Sequence, residues 1–392
     1  MNPHQLPIER AGALPGYGED DELPLWKRYR GAFPVTDRLV YLNHAGVAPL
    51  CQPAAKAMQD LAEDALRYGS LHYDAWLKSY AGVRAAAAGL INASPDEIAI
   101  TKNTSEGIAT VAMGMDWREG DKVVGFSEEF PANFFPWKRL ETKGVRLEWL
   151  SIEDPLEKIE AACRGARLLS ISFVQYLGGQ RADLEAIGEI CHRHGCFFFV
   201  DAIQGLGAFP IDVRRARIQA LACDGHKWLL GPEGCGFLYI QKGFQDTVEP
   251  VEFGWTNAAH YGDYANRDMS LRPDAGRYEC GTLNTIGCYG LRAAMEFLIG
   301  IGVEQIGKDI QALGDRLAQG AQEKGYLVLA RRTPANGAGI VAVRKEGTDS
   351  RVIVRQLAEK GIIAAPRQGW VRLAPHFYIS PEEIDRVIAE LP

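Results

Sequence analysis

The sequence predicts an α/β protein with a large, mostly parallel sheet and a smaller α+β domain towards the C-terminus. Apolar runs of strand length alternate with helical segments from about residue 85 to residue 201, which is the order of βαβ units. The apolar runs are nearly continuous, as expected of strands covered on both faces. From about residue 290 the pattern changes to long helices and short strands, and 392 residues are enough for two or three domains.

The predicted elements follow one another along the chain. They are a helix at VRAAAAGLI (83–91), strands at EIAITKN (97–103) and KVVGFS (122–127), a helix near NFFPWKRLETKG (133–144), a strand at RLEWLSI (146–152), a helix at LEKIEAACRG (156–165), a strand at RLLSISFV (167–174), a helix at DLEAIGEICHRHG (183–195), a strand at CFFFVD (196–201), and helices at GLRAAMEFLIG (290–300) and DIQALGDRLAQGAQEKG (309–325). We divide the chain into an N-terminal segment, 1–35, that packs on the small domain, a large domain, 36–290, and a small C-terminal domain, 291–392.

Composition and charge argue against several classes of function. The formal net charge of −7 gives no general attraction to nucleic acid or to an anionic membrane. The N-terminal sequence lacks the apolar core of a signal peptide, and no later segment has the roughly 18 uncharged residues of a membrane span. The eight cysteines are scattered singly, which predicts reduced thiols. We therefore expect a cytoplasmic protein.

Five polar clusters follow five of the predicted strands. Ligands of parallel α/β sheets bind beyond the carboxyl ends of the strands, so we expect these clusters to form one site. They lie at 103–107, 129–133, 175–179, 201–204 and 224–227.

Two of these clusters contain the groups that pyridoxal phosphate needs from a protein. Lys227, in CDGHKWLLGP (223–232), lies where an apolar run meets a turn, and a lysine there can form an imine with an aldehyde. Asp201 ends the run FFFVD, where a protonated ring nitrogen would be a suitable partner for a carboxylate that is costly to bury alone. Gln204 can reach the ring hydroxyl from the same loop. Taken singly, Lys227 could be a solvated lysine and Asp201 a helix cap.

The segment KNTSEG (102–107) offers a phosphate site. It follows a strand and opens the apolar helical run IATVAMGM, so Thr104, Ser105 and the free N–H groups of the helix start can bind an anion. On its own, this pattern is more often only a helix cap.

In combination these motifs resemble the class V aminotransferase family of fold-type I pyridoxal-phosphate enzymes, which includes cysteine desulfurases, kynureninase and isopenicillin N epimerase-like proteins. The resemblance extends from YLNHAGVAPL (41–50) to VRLAPHFYISPEEID (371–385). It implies the fold-type I architecture, with pyridoxal phosphate as the cofactor.

The resemblance also implies which residues hold that cofactor. Lys227 would carry it covalently, Asp201 would bind the ring nitrogen and Gln204 the ring oxygen. His226, Thr104 and Ser105 would hold the phosphate. Phe130, in EEFPANFFPW (128–137), would stack on the ring.

Two further roles follow from the resemblance. Thr282, in RYECGTLN (277–284), would reach the phosphate of the neighbouring subunit, which implies a homodimer with shared active sites. Arg372 would bind the α-carboxylate of a small amino-acid substrate, for which a bidentate guanidinium is well suited.

The chain departs from the family pattern at several positions. Asp224 stands where many relatives have serine and is expected to orient His226, and Tyr176 stands where desulfurases often have asparagine. The loop APRQGWVRL (365–373) lacks the cysteine with which desulfurases of the family carry sulfur, and we do not expect Cys280 to replace it. In the same loop Arg367 could bind a second carboxylate, although a loop arginine is usually solvated.

The cluster CHRHGC (191–196) has the composition of a metal site, but we expect no metal there. Zinc sites of this type need four converging ligands, and no second pair of ligands is evident in the sequence.

The expected chemistry begins with removal of the substrate α-proton by Lys227, while Arg372 holds the carboxylate and the protonated ring accepts charge. We expect transamination of a small amino acid. The alternatives are C–S cleavage of a cysteine-type amino acid without a catalytic cysteine, and epimerisation. From another class, a catalytically silent binding protein on this fold would not need Lys227, Asp201 and Arg372 intact.

Overall fold

The computed structural model describes residues 22–392, so the first 21 residues of the predicted N-terminal segment lie outside the described part. The α-helices are α1 (Leu25–Tyr29), α2 (Gln52–Tyr68), α3 (Tyr73–Ile91), α4 (Thr104–Gly114), α5 (Phe135–Arg139), α6 (Leu156–Cys163), α7 (Leu184–His194), α8 (Thr285–Ile301), α9 (Val303–Glu323), α10 (Ser350–Glu359) and α11 (Pro381–Glu390). The strands are β1 (Val40–Tyr41), β2 (Ile98–Thr101), β3 (Lys122–Phe126), β4 (Arg146–Leu150), β5 (Leu168–Ser172), β6 (Phe197–Asp201), β7 (Ala220–Asp224), β8 (Gly236–Ile240), β9 (Leu327–Val328), β10 (Val341–Arg344), β11 (Ile362–Ile363), β12 (Ala365–Arg367) and β13 (Trp370–Leu373).

A seven-stranded sheet, in the order β2-β8-β7-β6-β5-β3-β4, forms the centre of the molecule. β8 runs antiparallel to both of its neighbours, and every other pair is parallel. The six strands that share one direction therefore end on one side of the sheet, which we call the carboxyl edge. We call the opposite side, where these six strands begin, the amino edge. The predicted mostly parallel sheet is confirmed.

Alternate residues of each strand face two separate apolar cores, one on either face of the sheet. On β6, Phe198 and Val200 belong to the larger core, whereas Phe197 and Phe199 belong to the other. This arrangement explains why the strand sequences are apolar throughout, because strands covered on both faces have no solvent side. The five strands predicted between residues 97 and 201 correspond to β2–β6, whereas the helix predicted near 133–144 is α-helical only over Phe135–Arg139.

The C-terminal part carries a four-stranded antiparallel sheet in the order β12-β13-β10-β9, flanked by α9, α10 and α11. β1 pairs in parallel with β11, so the start of the described chain is tied to this part. Tyr29 and Phe33 pack on Phe377, and Arg30 forms an ion pair with Glu383. The division at residues 35 and 290 remains a proposal.

No single helix among residues 22–392 is both long and apolar enough to cross a membrane; only α8 and α9 together meet that test, as a pair bent by 83°.

Candidate active site

A pocket of about 280 Å³ lies at the carboxyl edge of the central sheet. It receives residues from the ends of β2, β3, β5, β6 and β7, as the five polar clusters of the sequence predict, and its volume is close to the lower end of the usual range for small-molecule sites. Its lining residues are Ala45, Gly46, Asn103, Thr104, Ser105, Phe130, Ala132, Ser172, Tyr176, Asp201, Ile203, Gln204, Asp224, His226, Lys227, Arg367 and Arg372.

Asp201 is buried and Lys227 half-buried at this pocket. Burial lowers the pKa of Lys227 to about 8, while the charge of Asp201 opposes that change. Burial raises the pKa of Asp201 to about 6, and a hydrogen bond from the Ile203 N–H to Oδ1, at 3.1 Å, opposes it. A lysine with such a pKa is partly neutral near pH 7.5, and a neutral amine is a nucleophile and a base.

One end of the pocket is suited to an anion. α4 begins there, and the side chain of Asn103 caps it by accepting the N–H of Glu106 at 2.9 Å. Thr104 and Ser105 occupy the first turn, where the backbone N–H groups have no partner within the helix.

His226 lies beside this helix start. Its Nδ1 is 3.0 Å from a carboxylate oxygen of Asp224, and the second carboxylate oxygen of Asp224 accepts the N–H of Gly225 at 2.7 Å. The Oγ1 of Thr104 accepts the backbone N–H of Asp224 at 3.0 Å. Asp224 thus contacts His226, as the sequence analysis expected, and ties the end of β7 to α4.

Gln204 is buried, and its side chain is held at both ends. Its Nε2 donates to the carbonyl of Ala45 at 3.0 Å, and its Oε1 accepts the indole N–H of Trp228 at 3.0 Å. The second hydrogen of Nε2 and the second lone pair of Oε1 are left for a ligand. These bonds attach the YLNHAGVAPL segment (41–50) to the pocket.

Phe130 and Tyr176 form an aromatic wall. Their ring centroids are 5.3 Å apart in an edge-to-face arrangement, and the Phe130 centroid is 5.7 Å from the Nζ of Lys227. The hydroxyl of Tyr176 accepts a hydrogen bond from Gln368 Nε2 at 2.7 Å, and burial raises its pKa above the usual value. Tyr176 therefore keeps its proton at neutral pH.

Arg372 reaches the pocket from β13, in the C-terminal part of the chain. It is 3% exposed, its Nη1 donates to the carbonyl of Tyr176 at 2.8 Å, and its buried Nε has no partner among the described residues. Burial lowers its pKa to about 10, with a contribution from the charge of Arg367, so it stays protonated at neutral pH. A buried guanidinium with open donors is prepared for an anion.

Glu129 is a buried residue whose importance the sequence analysis missed. Its carboxyl accepts the N–H of Ser172 at 2.7 Å and a hydrogen bond from Gln175 Nε2 at 3.2 Å. Burial raises its pKa to about 7, and the negative charge of Asp201 adds to that effect. The signal in the sequence was its place at the start of the polar cluster 129–133, shortly after β3 ends at Phe126.

Two residues singled out in the sequence lie outside the pocket. Thr282 is exposed and does not line the pocket of its own chain. Cys280 is partly exposed, with its Sγ 3.5 Å from Glu252. None of the described residues that line the pocket is a cysteine, as expected from the loop at 365–373.

Pyridoxal phosphate fits this arrangement. The pocket holds an anion site, an aromatic face, an amine and a carboxylate, which match the phosphate, ring, aldehyde and ring nitrogen of that molecule. The most selective feature is Asp201, since a carboxyl group that is 3% exposed, with its pKa raised by burial, is stabilised when a protonated ring nitrogen faces it.

Comparisons with known proteins agree with this chemistry. The family model of the class V aminotransferases matches residues 40–369. An uncharacterized aminotransferase of Bacillus subtilis, YcbU, is 32% identical, over 93% of this chain and 97% of its own. A probable cysteine desulfurase of Pyrococcus abyssi is 31% identical, over 92% of this chain and 96% of its own.

Solved structures are similar over the same extent. The cysteine desulfurase of Thermococcus onnurineus NA1 superposes with a TM-score of 0.86 at 28% identity, covering 93% of this chain and 96% of its own. The cystine C–S lyase C-DES, in complex with cysteine persulfide, has the same TM-score at 24% identity, covering 92% and 98%; at that identity the likeness shows the fold.

Proposed function

The chain belongs to the class V aminotransferase family of pyridoxal-phosphate enzymes, and within that family we propose that it cleaves the C–S bond of a cysteine-type amino acid. In the overall reaction, cysteine and water give pyruvate, ammonia and hydrogen sulfide. Sulfur leaves as a free product and is not carried on an enzyme thiol.

One observation carries this proposal. Relatives of more than 30% identity over nine-tenths of the chain are probable cysteine desulfurases, yet no cysteine is found among the described residues that line the pocket. C–S chemistry in such a pocket must release sulfur directly.

The cofactor would be held by the residues already described. Lys227 would bond to it covalently, and Asp201 and Gln204 would contact the ring nitrogen and ring oxygen. The phosphate would lie against Thr104, Ser105 and His226, with Phe130 stacked on the ring. When bound, pyridoxal phosphate supplies an electron sink for charge that develops at the substrate α-carbon.

The chain's own residues bind the substrate and move its protons. Arg372 binds the α-carboxylate through its open donors and so aims the α-C–H bond at Lys227. The neutral amine of Lys227 then takes the α-proton as a general base, which its pKa of about 8 favours near neutral pH.

Tyr176 is the proton donor to the departing sulfur. Its hydroxyl keeps its proton at neutral pH, it is fixed by Gln368, and it belongs to a residue that lines the pocket next to Arg372. Protonation of the leaving thiolate converts a basic leaving group into a neutral one.

A substrate comparison tests this reaction. The purified holoenzyme is incubated separately with alanine, cysteine and cystine, and sulfide, pyruvate and other keto acids are measured. We expect sulfide and pyruvate from cysteine and no keto acid from alanine. A keto acid formed from alanine without sulfide would instead support transamination, for which the similarity to YcbU is the observation in favour. Exchange of the α-proton for solvent deuterium without either product would support epimerisation.

We also propose that the active enzyme is a cytoplasmic homodimer in which Thr282 contacts the phosphate bound by the neighbouring subunit. Thr282 is exposed and does not line its own pocket. Large apolar side chains that a partner could cover are exposed as well: Leu66, Leu71, Tyr264 and Met269.

Mixed dimers of Lys227→Ala and Thr282→Val test this arrangement. Each homodimer has two defective sites, but the mixed dimer would contain one site with an intact Lys227 and an intact Thr282. We expect activity to reappear on mixing, to about half of the wild-type value per mixed dimer. Mixed dimers no more active than the average of the two parent variants would contradict the shared site.

A further inference from the structure

Three cysteine side chains meet at the amino edge of the central sheet, on the side opposite the pocket. Cys163 ends α6, Cys191 lies in the last turn of α7, and Cys196 directly precedes β6. Their Sγ atoms all lie within 4.8 Å of one another, and all three side chains are buried. We call this group the thiol cluster.

The local backbone explains how the cluster forms. Gly195 ends α7 in the left-handed conformation, with φ of 63°, and the N–H of Cys196 donates to the carbonyl of Cys191 at 2.9 Å. This turn directs both cysteines of CHRHGC to the α6 side. Cys163 then supplies the third sulfur, which the sequence alone could not place because it lies 28 residues earlier.

We propose that the thiol cluster binds a thiophilic d¹⁰ metal ion, of the class of zinc and cadmium, through the three cysteine sulfurs. A metal about 2.3 Å from each sulfur holds the sulfur atoms roughly 3.8–4.0 Å apart, so the observed separations need little closure. Each thiol that becomes a ligand releases one proton to the solvent, and no electron is transferred.

His194 belongs to the same turn, between Cys191 and Cys196, but its ring nitrogens are not among the ligand atoms that lie within 4.8 Å of one another. Its Nε2 is instead 3.1 Å from a carboxylate oxygen of Glu160. The protein ligands that the geometry supports are therefore the three sulfurs.

The site is separate from the proposed reaction. Cys196 directly precedes the first residue of β6, and Asp201 is the last of its five residues. At about 3.3 Å per residue, the two lie roughly 16 Å apart along the strand. A metal at the amino edge therefore joins α6, α7 and the start of β6, where it stabilises the fold and touches no substrate.

Cadmium titration of the reduced holoenzyme tests the proposal. Cd²⁺ is added without oxygen, and the near-ultraviolet absorption of thiolate–cadmium bonds is recorded against protein concentration. We expect saturation at one equivalent per chain, and a melting temperature raised by about 5 °C or more at saturation. No absorption change up to several equivalents would overturn the proposal.

Serine variants assign the ligands. Cys163→Ser should lower the affinity for Cd²⁺ at least about 100-fold, because a hydroxyl is a poor ligand for a soft ion. The matched control is Cys288→Ser, which removes a thiol equally buried in another close pair, 3.9 Å from Cys235. Equal loss in both variants would contradict the site. His194→Asn should leave the affinity nearly unchanged, because the three sulfurs are the protein ligands.

A second measurement does not depend on whether a variant folds. Wild-type protein, with and without one equivalent of Zn²⁺, is partly unfolded and alkylated, and the modified cysteines are located by mass spectrometry. We expect Zn²⁺ to protect Cys163, Cys191 and Cys196 selectively. Uniform protection of all eight cysteines, or none, would overturn the assignment.

Discussion

The two edges of the central sheet are built from the same strands, but their charged side chains differ in how they are paired. At the carboxyl edge, Lys227 and Asp201 have pKa values shifted to about 8 and about 6, and Arg372 keeps a buried Nε without a partner among the described residues. At the amino edge, Lys122 is paired with Glu148 at 3.1 Å and Arg167 with Asp121 at 3.5 Å.

The difference shows where the fold leaves interactions unsatisfied. Buried charges are costly unless paired, so a set of them around a cavity indicates that a ligand completes the pairing. At the amino edge, Lys122 and Arg167 each have a carboxylate partner, although the Nε of Arg167 is also buried without a hydrogen-bond partner among the described residues. Substitutions of similar chemistry should therefore have large effects on catalysis at one edge and small effects at the other.

The largest effect is expected at Lys227. Lys227→Ala removes both the covalent bond to the cofactor and the general base, so kcat should fall about 10³-fold or more, and borohydride should no longer trap the cofactor on the protein. Lys122→Met, at the amino edge, is the control. It breaks the ion pair of a half-buried lysine with Glu148 on the side opposite the pocket, so kcat should stay within about threefold. Comparable losses in the two variants would break the contrast between the edges.

The next effect is expected at Arg372. Arg372→Gln should lower kcat/KM for cysteine about 100-fold, since a bidentate charge-assisted contact to the α-carboxylate is worth about 3 kcal/mol. Arg167→Gln is the control at the amino edge, and Arg367→Gln tests whether the loop arginine contacts a second carboxylate. We expect Arg367→Gln to lower kcat/KM for cystine more than kcat/KM for cysteine. Steady-state kinetics that show no loss in Arg372→Gln would contradict the assignment.

A smaller effect is expected at Tyr176. Tyr176→Phe keeps the ring that packs on Phe130 but removes the proposed proton donor, so kcat for cysteine should fall about 10–100-fold. Substrates whose sulfur leaves as a more acidic thiol need less help from an acid and should lose less. Equal losses for both kinds of substrate would mean that the Tyr176 hydroxyl only supports the pocket, through its hydrogen bond with Gln368.

The smallest effect is expected from a change of pH. The neutral amine of Lys227 is the form that reacts with an aldehyde, so the rate at which the apoprotein captures pyridoxal phosphate should rise with pH, with a midpoint near the pKa of about 8. A lysine at the ordinary value of 10.5 would still be gaining reactivity well above pH 9. A stopped-flow series from pH 6 to 10, followed by absorbance, distinguishes the two curves.

Much of the carboxyl edge could be predicted from the sequence, because parallel strands bring their polar ends to one place. Asp201, Lys227 and the α4 start follow strands of strongly apolar pattern, and the structure brings them together as expected. The expectation of transamination rests on the general pattern of the family. The comparisons favour C–S cleavage, and for that the sequence offered only the missing loop cysteine as a clue.

Other features depend on packing that no local pattern encodes. Glu129 follows a second glutamate, and only the fold decides that it is buried against Ser172 while Glu128 is exposed. The thiol cluster also depends on the fold. The sequence shows the two cysteines of CHRHGC close together, but it does not show that Cys163 lies beside them.

The fate of the sulfur atom tests the central claim most directly. Holoenzyme is given cysteine labelled with ³⁵S, without added thiol, and the label is followed in free sulfide and on the protein while pyruvate and alanine are measured. We predict that sulfide and pyruvate form in equal amounts over many turnovers, with no label retained by the protein. Alanine formed together with label bound to an enzyme cysteine would contradict the account.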